Sequence, residues 1–258
     1  MPIKQSVMYP MFRAADTAPE RVLARLAEIG YAAVEFTFRN DETDQLIAAT
    51  REHGLAVASF VGHRTLGDGL NKRSNHARIE QELRANIDFA AEHGIPGLIC
   101  FSGNRNPHQS EADAIDATAE GFQRVAGYAE QKGVTLNMEL LNSKVNHAGY
   151  QCDHTVWGAA VCERVNSPSV KLLYDVYHMQ IMEGDVIRTM REHMHWIGHI
   201  HTAGNPGRQD LDDTQELNYR GICKAIAESD YEGYVGHEFS PKGDPLAAAE
   251  TAFAICDQ

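Results

Sequence analysis

The chain has 258 residues, 43% of them hydrophobic, which is enough to bury a sizeable core in one large domain. Its 23 Lys and Arg against 36 Asp and Glu give a formal net charge of −13, a surface that repels phosphate backbones and anionic lipid and argues against nucleic-acid and membrane partners. Five widely spaced cysteines with no CxxC pair, an N-terminus (MPIKQSVMYPMF) unlike a signal peptide, and no apolar run near the roughly 18 residues of a membrane span fit a soluble chain in a reducing cytoplasm.

In chain order, short β-type runs alternate with longer helical periods. The predicted strands are SVMYPMF (6–12), AAVEFTF (32–38), LAVASFVGH (55–63), GLICFSG (97–103), VTLNMELLN (134–142), VKLLYDVYH (170–178), WIGHIHTAG (196–204) and YVGHEFSP (234–241). The segments that follow them in turn are PERVLARLAEIG, ETDQLIAATREHG, HARIEQELRANIDFAAEHG, SEADAIDATAEGFQRVAGYAEQKG, TVWGAAVCERVN, DVIRTMREHMH, YRGICKAIAESD and PLAAAETAFAIC. Most carry apolar residues at i, i+3, i+4 and i+7, and several stop at a glycine (Gly30, Gly54, Gly94, Gly133) suited to a helix C-terminus. Eight βα units with no linker and no low-complexity stretch predict a single (β/α)8 TIM-barrel domain over 1–258. An open doubly wound sheet is the runner-up, but residues 9–19 lack the GxGxxG turn that a dinucleotide-binding sheet would place there.

A barrel puts its chemistry at the C-terminal ends of its strands. Four late strands carry polar groups there: Glu139 on the fifth, Asp175 on the sixth, His201 on the seventh and Glu238 on the eighth. Taken singly, such an acid is more often a helix cap or an ion-pair partner, and such a histidine a hydrogen-bonded core residue. On consecutive strands, three carboxylates facing one mouth would repel one another unless a cation neutralised them. Three carboxylates and one imidazole form an oxygen-rich set that suits one divalent ion of the Mg, Mn or Co kind. His178, three residues after Asp175, points toward whatever that ion holds.

The segments NMELLN, LLYDVYHMQIMEGD, WIGHIHTAGNPGR, ELNY and YVGHEF resemble the hydroxypyruvate isomerase family, within the xylose-isomerase-like barrels that also include ketose 3-epimerases. The resemblance is densest from 134 to 245. It implies metal ligation by Glu139, Asp175, His201 and Glu238, with Glu139 and Glu238 as the catalytic proton carriers. At 201 many members carry Gln, and the loop FVGHRTLGDGLNKRSN after the third strand also departs from the family.

The expected reaction is an aldose–ketose isomerisation through an enediolate, most simply hydroxypyruvate to tartronate semialdehyde, on a small sugar or keto acid. For substrate binding, His178 is expected to meet a substrate oxygen and Arg208 to grip a carboxylate, while His63 at the end of the third strand lines the pocket. Glu183 is either a partner behind the ligands or part of a helix start. A four-carbon oxo-acid isomerase and a ketose 3-epimerase are the alternatives with the same site; a homo-oligomer is compatible with either. A Schiff-base aldolase lacks its lysine, since Lys171 opens a strand and Lys144 lies in a loop. An endonuclease of related fold would need more histidines and a basic face, and a sugar-binding barrel would have little use for both glutamates.

Overall fold

The computed structural model describes residues 3–13 and 17–258. Eight strands run in sheet order as a closed barrel: β1 (Lys4–Met8), β2 (Ala33–Glu35), β3 (Ala56–Val61), β4 (Gly97–Cys100), β5 (Thr135–Glu139), β6 (Val170–Asp175), β7 (Ile197–Thr202) and β8 (Tyr234–His237). Between and after them lie α1 (Tyr9–Phe12), α2 (Pro19–Ile29), α3 (Thr43–Glu52), α4 (His76–Glu92), α5 (Glu111–Lys132), α6 (Thr155–Val165), α7 (Val176–Met182), α8 (Val186–His193), α9 (Tyr219–Ala227) and α10 (Pro245–Cys256). The eight-unit barrel read from the periodicity is therefore the fold.

By contacts the chain groups into two compact units, Met1–Phe60 with Ile200–Gln258, and Val61–His199. In the first, β1 pairs in parallel with β2 (Met8 opposite Glu35) and with β8 (Ser6 opposite Gly236), and β7 pairs with β8 (His201 opposite Gly236). Its core includes Val7, Val34 and Val235, with Phe12 edge-on to Phe239 at 5.0 Å. In the second, β5 lies between β4 and β6, with Glu139 opposite Leu173. Leu98, Leu136, Met138 and Leu172 are fully buried there. These strands carry apolar residues on both faces, as parallel strands covered by helices do.

Helix boundaries follow local chemistry. The Ser110 hydroxyl accepts the Asp113 N–H to open α5, and Gly133, at φ 69°, closes it in the left-handed conformation a side chain resists. All eight predicted strands run past the observed C-terminal ends, and three of them bear on the helices and the site. The 6–12 run ends at Met8, and Tyr9–Phe12 coils into α1 with Pro10 in its first turn. The 170–178 run ends at Asp175, whose carboxylate caps α7, so that His178 is helical. The 234–241 run ends at His237, one residue before Glu238. A buried helical turn and a buried strand are equally apolar over so short a window, and only the cap separates them.

The five cysteines are free and buried, and burial pushes the Cys162 thiol up to about 12. No helix among the described residues is long and apolar enough to cross a membrane.

Candidate active site

The Val61–His199 unit contributes Glu139 and Asp175, the last residues of β5 and β6, 6% and 0% exposed. Asp175 Oδ1 accepts the His178 N–H at 2.9 Å, which starts α7 and sets the ring on its first turn. That ring is wholly buried, and Nε2 lies 3.8 Å from Asp175 Oδ2. Its orientation is dictated by Asn142. Asn142 Oδ1 accepts the Val145 and Asn146 N–H groups at 3.0 and 2.9 Å, so its NH2 must be the end facing His178 Nδ1 at 2.6 Å. Nδ1 is then an acceptor, and in the neutral ring the proton sits on Nε2, a donor.

The other unit contributes His201 on β7 and Glu238 just past β8. The Glu238 N–H donates to Thr202 O at 3.0 Å, so the β7–β8 ladder carries on to it. Glu238 Oε2 lies 3.1 Å from His201 Nδ1 and accepts from Arg208 Nη2 at 2.6 Å. Arg208 sits in a loop closed by the Gly204 N–H to Gln209 O bond at 2.7 Å and tied to the β8 side by the Ser240 N–H to Arg208 O bond at 2.9 Å. On the far side of the ring, His201 Nε2 is 3.2 Å from Glu35 Oε2. Beneath it, the Thr202 hydroxyl meets His237 Nδ1 at 2.7 Å and His237 Nε2 meets Gln5 Oε1 at 3.0 Å; burial lowers that ring to about 3, so it is a neutral core histidine.

Four donors named from the sequence thus lie at or within one residue of strand ends: Glu139 and Asp175 in one unit, His201 and Glu238 in the other. Arg208 joins Glu238 directly, an association the sequence did not suggest. His63 Nε2 accepts the Phe101 N–H at 2.9 Å, and burial lowers the ring to about 4. Its acceptor nitrogen is thus taken by backbone. Glu183 accepts the Thr155 N–H and hydroxyl at 2.6 and 2.7 Å, and so serves the start of α6. Glu35 is the residue that sequence reading missed. Its visible signal was a lone acid in the apolar run AAVEFTF.

A family model for xylose isomerase-like TIM barrels matches residues 23–256. Hydroxypyruvate isomerase from Escherichia coli is 30% identical over 231 residues, spanning 84% of this chain and 86% of that protein. The 2-oxo-tetronate isomerase of Cupriavidus necator is 31% identical over 237 residues, 87% of this chain and 88% of its own. Among solved structures, an AP endonuclease of family 2 from Brucella melitensis superposes with a TM-score of 0.86 over all of both chains at 23% identity, a likeness of fold. With the barrel, the strand-end carboxylates and these matches in place, the chain belongs to the xylose isomerase-like TIM-barrel family, among its hydroxypyruvate isomerase relatives.

Proposed function

We propose that this chain is a divalent-metal-dependent isomerase of a short sugar acid, interconverting hydroxypyruvate and tartronate semialdehyde. The observation that carries the reading is the chemistry of the four side chains at the C-terminal ends of β5 to β8, Glu139 and Asp175 in one unit and His201 and Glu238 in the other, each of a kind that can hold a metal ion. Three carboxylates and one imidazole match the preferences of Mg²⁺, Mn²⁺ or Co²⁺. The Escherichia coli relative supports the substrate.

Such an ion, when bound, supplies Lewis acidity toward a carbonyl and its neighbouring hydroxyl. The protein supplies the proton traffic. One of Glu139 and Glu238 removes the proton from the carbon beside the carbonyl, the other returns a proton to the former carbonyl carbon, and the hydroxyl proton shifts to the former carbonyl oxygen, with an enediolate between the two steps. His178, whose Nε2 carries the proton, would donate to a substrate oxygen. Arg208 would pair with the substrate carboxylate while keeping its bond to Glu238. His63 would shape the surroundings through its ring rather than its nitrogens.

The Cupriavidus relative favours a second reading, a four-carbon oxo-acid as substrate of the same machinery. A ketose 3-epimerase would also use two glutamates. Incubation of the metal-loaded protein in D2O with hydroxypyruvate, a four-carbon oxo-acid and a six-carbon ketose, followed by NMR, separates the three. Deuterium should enter the carbon next to the carbonyl of the true substrate, chelation should abolish this, and Mg²⁺, Mn²⁺ or Co²⁺ should restore it. Full turnover by metal-free protein would sink the metal reading. A preference for the neutral ketose would sink the sugar-acid reading.

A further inference from the structure

We infer that Glu35 is a positioning residue: it holds His201 in the Nε2–H tautomer, which leaves the Nδ1 lone pair beside Glu238 for a metal ion. The inference rests on the metal reading above and assigns to β2 a role in it.

His201 lies between two carboxylates, with Nε2 3.2 Å from Glu35 Oε2 and Nδ1 3.1 Å from Glu238 Oε2. A neutral imidazole has one N–H, so it can donate to only one of them. Glu35 has the stronger need. It is 0% exposed and is met by the Ser6 hydroxyl on Oε1 at 2.7 Å and the Ser59 hydroxyl on Oε2 at 2.5 Å, so its charge is balanced by donors rather than by water. Glu238 is 15% exposed at its side chain and already accepts from the Arg208 guanidinium at 2.6 Å. The proton therefore belongs on Nε2. Two acceptors, Nδ1 and Oε2, then stand 3.1 Å apart, the spacing of neighbouring ligands on one small cation. A histidine that ligates through one nitrogen and donates from the other to a carboxylate is a general device of metal sites.

The space for this arrangement is built in. Gly236 stands opposite both Ser6 and His201 in the sheet. A Cβ there would collide with Glu35 Oε1 and approach His201 Cδ2 to 3.0 Å. β8 therefore gives up a side chain so that a buried carboxylate from β2 can reach a ring on β7.

The test uses the whole chain in two arms. With ¹⁵N-labelled histidine in metal-free protein, the His201 signals, assigned by their loss in His201→Gln, should report the Nε2–H tautomer. In calorimetric titration with Mn²⁺, wild type should bind one ion per chain. Glu35→Gln should bind it roughly 10- to 100-fold more weakly and should recover most of its kcat at saturating Mn²⁺. An Nδ1–H tautomer or a ring still doubly protonated at pH 8 in the wild type, or unchanged Mn²⁺ affinity in a folded Glu35→Gln, overturns the inference. So does a second ion per chain that disappears in Glu35→Gln, because Glu35 would then itself be a ligand. Wild type that binds no Mn²⁺ refutes the metal reading instead, and the tautomer arm, repeated on metal-free Glu35→Gln, still tests whether Glu35 holds the Nε2–H form.

Discussion

Replacing Glu139 or Glu238 with Gln keeps the volume of the side chain while removing its charge and, on the proposed mechanism, a proton carrier and a ligand. Each change should lower kcat by about 10²- to 10⁴-fold if the residue carries a proton in the transition state. Metal content must be measured on the same samples, because a lost ion would mimic a lost base. A variant that keeps both its metal and a near-normal kcat removes that glutamate from the mechanism. The two positions differ in surroundings. Glu238 accepts from Arg208 at 2.6 Å, whereas the backbone carbonyl of Glu139 accepts the Tyr150 hydroxyl at 3.0 Å, which anchors the end of β5.

At the scale of elements, α6 is preceded by His154, whose side chain makes no capping bond, and Glu183, which follows α7, takes the Thr155 N–H instead. Glu183→Ala should therefore cost about 1–2 kcal/mol in urea unfolding, the range of a lost N-cap, and leave Mn²⁺ affinity unchanged. A fall in affinity with no loss of stability would mean that Glu183 serves the ligands. Helices were legible in the sequence because a 3.6-residue period persists over ten or more residues, and Gly30 and Gly133 mark two of their ends. The strands were legible in number and place, less so in length, because Tyr9–Phe12 and Val176–Met182 are as apolar as the strands they follow. Glu139, Asp175, His201 and Glu238 could be found because each lies at or within one residue of a strand's C-terminal end, a position the barrel itself makes meaningful. Glu35 could not. It closes a strand of only three residues, inside a run that read as strand through Phe38, and its partners Ser6, Ser59 and Gly236 come into view only once the register is known.

For the whole molecule, two fully buried histidines set a pH dependence. Burial lowers His63 to about 4 and His237 to about 3, against an ordinary value of 6.5, so both rings are neutral in the folded protein. Below pH 6.5 the unfolded chain takes up protons that the folded chain refuses, and stability falls as pH drops toward 4. Each ring should account for about 2 kcal/mol between pH 6.5 and 5. Urea unfolding at those two pH values measures the slope, and His63→Gln should remove about half of the part due to these two rings. A slope that His63→Gln leaves unchanged would show that this ring titrates normally.

The burial of Cys100, Cys152, Cys162, Cys223 and Cys256 also makes the native chain a silent background for thiol chemistry. A single cysteine introduced at Val145, 68% exposed in the loop whose backbone binds Asn142, could carry a fluorophore or spin label with no native thiol competing for it. Because Asn142 also holds His178, such a label would follow the histidine's loop during turnover without any ligand having been altered.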